Sequence, residues 1–174
     1  MTGAVSVSGG PPRVGEWSID TGKPDGDAAG RHVQDFLTAF GDLAKVESAT
    51  ADLMWLDADG HVTRVEEAKP VTVAQLPADA SLVTSLIVTG ELCGQPGGFR
   101  FGYSCVVEYD DEDRVTPVDS EVTVTAFADC WGDPANRERL AEALKEWERR
   151  TGRPIGEWSS AVRGGRIDRY GFRD

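Results

Sequence analysis

Five carboxylates fall within six residues at Glu108-Tyr109-Asp110-Asp111-Glu112-Asp113. Like charges this close repel one another, so folding alone gives no reason to gather them. One reading is a solvated turn. The other is an electrostatic landing site for a basic protein partner, with Tyr109 as an aromatic anchor at its edge.

Other chemistry is sparsely supplied. The chain has no G-x-x-x-x-G-K-[ST], no G-x-G-x-x-G and no H-E-x-x-H, so phosphate-cradling loops and the zinc-helix motif are missing. His32 and His61 are the only histidines, one expected on a helix and the other in a hairpin turn, so no metal site is assigned. Asp57, Asp59 and Gly60 start like a calcium loop. That motif needs Gly at its sixth position and Glu at its twelfth, where Val62 and Ala68 stand, and an acidic hairpin turn accounts for them instead.

Cys130, beside Trp131, is the most suggestive thiol, and His61 would be the base to activate it. Cys130 also continues the apolar series Val122, Val124, Ala126, Ala128, which reads as a buried, inert thiol. No catalytic residue and no cofactor are therefore assigned. Phe99, Phe101, Tyr103 and Tyr109 line one side of a strand. They form core beneath a helix or, where a helix leaves them bare, the floor of an apolar pocket. In that other case Trp55, Phe101, Tyr103 and Trp131 would line a cavity between sheet and C-terminal helix, making a small-molecule binder or enzyme the alternative function.

The elements that must position these groups follow from periodicity. Residues 1–12 are small, Gly-rich and end in Pro-Pro, and read as a flexible tail; residues 13–174 read as one domain. Residues 13–20 alternate as a first strand. From Asp27 to Val46, Val33, Phe36, Leu37, Phe40, Leu43 and Ala44 recur at helical spacing, with Asp25 or Asp27 as cap. A hairpin through Asp57-Ala58-Asp59-Gly60 follows. The two prolines of residues 66–80 predict a connecting loop, with room in it for a short edge segment. Three longer strands are expected at 81–92, 99–109 and 121–131, the last two joined by a long loop, DDEDRVTPVDS. Asp133-Pro134 starts a second helix and Gly152 with Pro154 stops it. This order predicts an α+β fold: a single antiparallel sheet of about five to six strands with two helices packed on one face.

Composition narrows the setting. At 174 residues with 40% hydrophobic and 28% charged content, the chain can build a core without metal or disulfide staples. It has no signal-like start and no run near the ~18 apolar residues of a membrane span. Cys93, Cys105 and Cys130 are odd in number and lack a C-x-x-C pair, which points to a reducing compartment, the cytoplasm. A net charge of -12 repels phosphate backbones and anionic membranes, so neither nucleic acid nor a membrane is expected as partner. Residues 159–174 are Arg-rich. Arg163, Arg166, Arg169 and Arg173 there would dock onto a larger complex or fold back on the acidic body.

Bacterial immunity proteins, which neutralise basic nuclease-type toxins, are small acidic α+β domains of this general sort. The segment TGRPIGEW, residues 151–158, resembles such proteins over that stretch alone. That stretch is too short to claim a family, and no residues are carried over from it; the excess of negative charge is what points to a non-enzymatic binder of a basic protein. Oligomeric state and the partner's identity stay open at this level.

Overall fold

The computed structural model describes residues 14–76, 80–160 and 166–173; the expected tail, residues 1–12, lies outside them. In chain order the elements are β1 (Gly15–Asp20), α1 (Ala28–Phe40), β2 (Ala44–Leu56), β3 (Val62–Pro70), β4 (Leu82–Leu92), β5 (Gln95–Tyr109), β6 (Val115–Ala126), α2 (Pro134–Thr151), β7 (Glu157–Ser160), β8 (Ile167–Asp168) and β9 (Gly171–Phe172). The fold is α+β. Seven strands form one sheet in the order β3-β2-β4-β5-β6-β1-β7, every neighbouring pair antiparallel, and β8 and β9 make a separate two-stranded ribbon.

The sheet exceeds the expected five to six strands because β7 adds to β1, pairing Trp158 with Trp17. Register explains which face carries the core. Ile19, Val122, Tyr103 and Leu86 lie side by side across four strands, and Trp17, Val124, Phe101 and Val88 form the next row; all eight are buried. Both helices cover this face. Phe36 of α1 stacks on Phe101 at 5.0 Å, and Leu140, Leu144 and Trp147 of α2 join the same cluster. At the crossing with β2, Gly90 is required: a Cβ there would lie 2.0 Å from the Lys45 carbonyl oxygen.

Three boundaries differ from expectation. The first helix stops at Phe40 rather than Val46, because Gly41 takes φ 51 and a 3-10 turn over Gly41–Leu43 leads into β2. Ladder pairing of Ala44 with Leu92 then outweighs the helical spacing of Leu43 and Ala44. The stretch from Glu66 to Pro70 continues β3 as edge strand, so the edge segment allowed for in the expected loop joins the strand before it. β3 lies at the sheet edge, where Pro70 needs no partner on its open side, and Asp52 Oδ1 accepts the Ala68 N–H at 2.7 Å where the backbone turns to φ 49. Finally, β6 spans Val115–Ala126 rather than 121–131. Pro117 is tolerated because β1 pairs only from Glu121 onward, leaving β6 an edge before it.

Both ends of α2 match their local signals. Asp133 accepts the Ala135 N–H at 2.9 Å, Pro134 opens the helix, and Gly152 closes it at φ 74. Asp27 makes no capping bond in α1; Asp25 instead holds the Asp27 N–H and the Arg31 guanidinium. The C-terminal segment folds back on the body. Phe172 is buried between Trp17 and Trp131, and Asp168 O accepts the Trp17 indole N–H at 2.8 Å. Glu148 binds Arg169 at 2.7 Å and the Tyr170 hydroxyl at 2.8 Å, and Arg173 pairs with Asp168. Among the described residues no helix is long and apolar enough to cross a membrane.

Candidate functional site

The acidic run sits on a tight turn. Because β6 begins at Val115, Asp110 to Arg114 closes the β5–β6 hairpin in five residues, not the long loop expected. Asp110 N–H bonds to the Arg114 carbonyl at 3.0 Å, and Asp113 N–H to the Asp110 carbonyl at 3.0 Å. The Asp110 Oδ1 accepts the N–H groups of Glu112 and Arg114, at 2.9 and 3.0 Å, and its Oδ2 takes the Arg114 guanidinium at 2.7 Å. Asp110 is thus the residue that organises the turn. The Arg114 N–H and then its guanidinium hold the carboxyl below the usual carboxylate range.

The β2–β3 turn repeats this build. Asp57 N–H bonds to the His61 carbonyl at 2.9 Å, Gly60 N–H to the Asp57 carbonyl at 3.1 Å, and Asp57 Oδ1 accepts from Asp59 and His61, both at 2.9 Å. Hydrogen bonding by the His61 N–H likewise lowers the Asp57 carboxyl. The fourth residue of each turn has positive φ: Gly60 at 92° and Asp113 at 59°. Asp tolerates that region better than most side chains.

These two turns meet. β4 starts only at Leu82, so the β5–β6 hairpin projects beyond it and reaches the β2–β3 hairpin across the gap. His61 and Arg114 form an antiparallel bridge, Val115 N–H bonds to the Gly60 carbonyl at 2.9 Å, and His61 Nε2 donates to the Glu112 carbonyl at 3.0 Å. Beneath them Met54, Leu82 and Val115 form a separate small apolar cluster. The acidic turns are therefore anchored by packing as well as hydrogen bonds.

Charge at this end is only partly neutralised. Arg114 serves Asp110 and, at 3.5 Å, Glu112; His61 lies 3.5 Å from Asp57. Glu108, Asp111, Asp113 and Asp59 have no ion pair among the described residues. Tyr109 is 57% exposed beside them. The register shift opposite Val106 and Val107 lies in β6, where Val118 is skipped, so β5 keeps its alternation and Tyr109 shares the side of Phe99, Phe101 and Tyr103 at the exposed end of the strand. Asp57, Asp59 and His61 bring ligand atoms within 4.8 Å of one another. Their hydrogen bonds within an open turn account for that grouping.

The other singled-out residues do not converge. Phe101, Tyr103 and Trp131 are core: Phe101 packs on Phe36, Tyr103 stacks with His32 at 6.1 Å, and Trp131 lies on Phe172 at 5.4 Å. Trp55 is covered by the Arg64 guanidinium, 3.6 Å from its ring centre. Cys130 follows the end of β6 remote from the His61 turn, and burial, then contact with the Cys93 thiol, pushes it up to about 12. A thiol so held is a poor nucleophile at neutral pH. The meeting of the two turns was not anticipated from sequence, although DADGHV and DDEDRV share a pattern: Asp first, Gly or Asp fourth, a basic or imidazole residue fifth, Val sixth.

No family model, curated protein or solved structure matches the chain.

Proposed function

We propose that this protein is a non-enzymatic binding module that captures a basic protein partner by charge complementarity, as an immunity protein neutralises a basic toxin. The observation that carries the reading is the surplus of carboxylates held on two joined hairpins: Glu108, Asp111, Asp113 and Asp59 face solvent without a counter-ion among the described residues. Because the turns are cross-bridged and packed from beneath, the charges are presented with little reorganisation on binding. The net charge of -12 extends the same sign beyond the turns and favours fast encounter with a cation-rich surface. Tyr109 offers the exposed ring that an interface anchor needs. The three thiols are unpaired, in keeping with a reducing compartment such as the cytoplasm.

Affinity capture from the native host followed by mass spectrometry identifies the partner, and stopped-flow association tests the surface. The combined change E108Q/D111N/E112Q/D113N, which keeps Asp110 in place, is expected to slow association about tenfold at low salt and to flatten its salt dependence. An acidic partner, or association indifferent to both variant and salt, would reject the proposal.

A further inference from the structure

Among the described residues nothing covers the sheet face opposite the helices, and its charges are arranged in a way that folding does not require. Arg100 of β5 lies opposite Thr125 of β6, which lies opposite Glu16 of β1; Glu121 lies opposite Ser104, four residues along from Arg100. Two strand spacings place Arg100 roughly 10 Å from Glu16, and four strand residues place it roughly 13 Å from the Glu121 row. Arg100, Glu16 and Glu121 line one concavity of about 300 Å³ yet make no ion pair with one another. Among the described residues Glu16 takes only the Thr125 hydroxyl and Glu121 only that of Thr123, each at 3.3 Å.

The floor between these charges is small and hydroxylated. Gly102 occupies its centre, and a Cβ there would touch nothing within 4 Å. Ser18 and Thr123 satisfy each other across β1 and β6 at 3.0 Å. Toward β7 the concavity continues into another of about 380 Å³, which shares Glu16 and adds Glu157. One guanidinium and three carboxylates thus stand on rigid strands along a trough, with no ion pairs between them among the described residues.

We propose that this trough is a docking surface for an extended segment of the basic partner, one that presents a carboxylate to Arg100 on β5 and, further along, cationic side chains to Glu16 and Glu121, both of which lie on the β6 and β1 side of Arg100. The inference rests on the reading that a basic protein is the partner, and charge complementarity is what selects the occupant. Three carboxylates to one guanidinium demand a net-cationic segment. The isolated Arg100 demands an acidic residue within it, because a wholly cationic segment would place like charge over the guanidinium. An acidic or purely apolar segment is excluded by the same count.

The probe is the capped peptide EGGKK, whose carboxylate stands roughly 10 Å from the first lysine when extended and whose adjacent lysines point to opposite sides, with the charge-swapped KGGEE as control. Titrated into the isotope-labelled full chain to about 10 mM, EGGKK is expected to shift the amides of Gly102, Thr123 and Thr125, with a dissociation constant in the millimolar range. R100E should weaken it about tenfold, G102T should block it sterically, and amidation of Glu108, Asp111, Glu112 and Asp113 should leave it unchanged. Equal response to the swapped peptide, shifts confined to the acidic turns, or no shift at all would overturn the proposal. With the captured partner in hand the two readings separate. If R100E leaves affinity intact while the acidic-turn variant slows association, the trough is rejected and the basic-partner reading stands. If the partner proves acidic, both fall.

Discussion

Ile19, Val122, Tyr103 and Leu86 make one row of the covered face; one residue on or back along each strand, Ser18, Thr123, Gly102 and Ile87 make a row of the open face. The strands and the register are the same, yet the covered row is buried beneath helices and the open row points away from them. Where a helix covers the sheet, burial demands apolar, close-fitting side chains. Where none does, folding asks little beyond strand propensity, and charges such as Arg100, Glu16 and Glu121 stand there without an ion pair among the described residues. The acidic turns carry the same lesson at the sheet's end: Asp110 and Asp57 are committed to the backbone, whereas Asp111, Asp113 and Asp59 are not.

The contrast is open to direct attack. The largest effect is expected from Leu86→Ala on the covered face, about 2–5 kcal/mol of stability by urea unfolding. Its neighbour Ile87→Ala, on the open face, should cost less than about 1 kcal/mol; equal costs would mean that the open face is packed after all. Glycine substitutions come next. Gly90→Ala drives a Cβ into the Lys45 carbonyl and should cost about 1–3 kcal/mol. Gly102→Ala meets open space, and its effect should be neutral or stabilising by about 0.5–1 kcal/mol.

The smallest effect concerns His32, a titratable group under the covered face. Burial, then the nearby Arg31, lowers its pKa from the ordinary 6.5, and its Nδ1 is buried without a partner. The unfolded chain therefore takes up the proton first as pH falls. The associated stability is present above pH 6.5 and is lost as pH drops below that value toward the folded pKa. Unfolding midpoints followed across this range should decline in the native chain and decline less in His32→Phe, where Phe keeps the stack on Tyr103. An identical decline in both would place the acid sensitivity elsewhere.

Much of the covered face was legible because its signals are local. The spacing of Val33, Phe36 and Phe40, the Asp133-Pro134 start and Gly152 stop of α2, and the alternation along Phe99, Phe101 and Tyr103 each arise within a few residues. The acidic run was legible as composition, but its shape was not. Asp110-Asp111-Glu112-Asp113-Arg114 became a tight turn only because residues 115–120 pair with β5, and that pairing depends on a bulge at Val118 that no local pattern announces.

By itself, then, the amino-acid order determined the elements, the residues that seek burial and the excess of negative charge, since propensity, periodicity and net charge are local or additive quantities. Only the tertiary structure decided that β7 closes onto β1, that the Asp57 and Asp110 turns meet, and that, among the described residues, one face is left without a helix and Arg100 without an ion pair. Those outcomes depend on strand order and on where β4 begins. Both are set by pairing between residues distant along the chain, whose partners no short window contains.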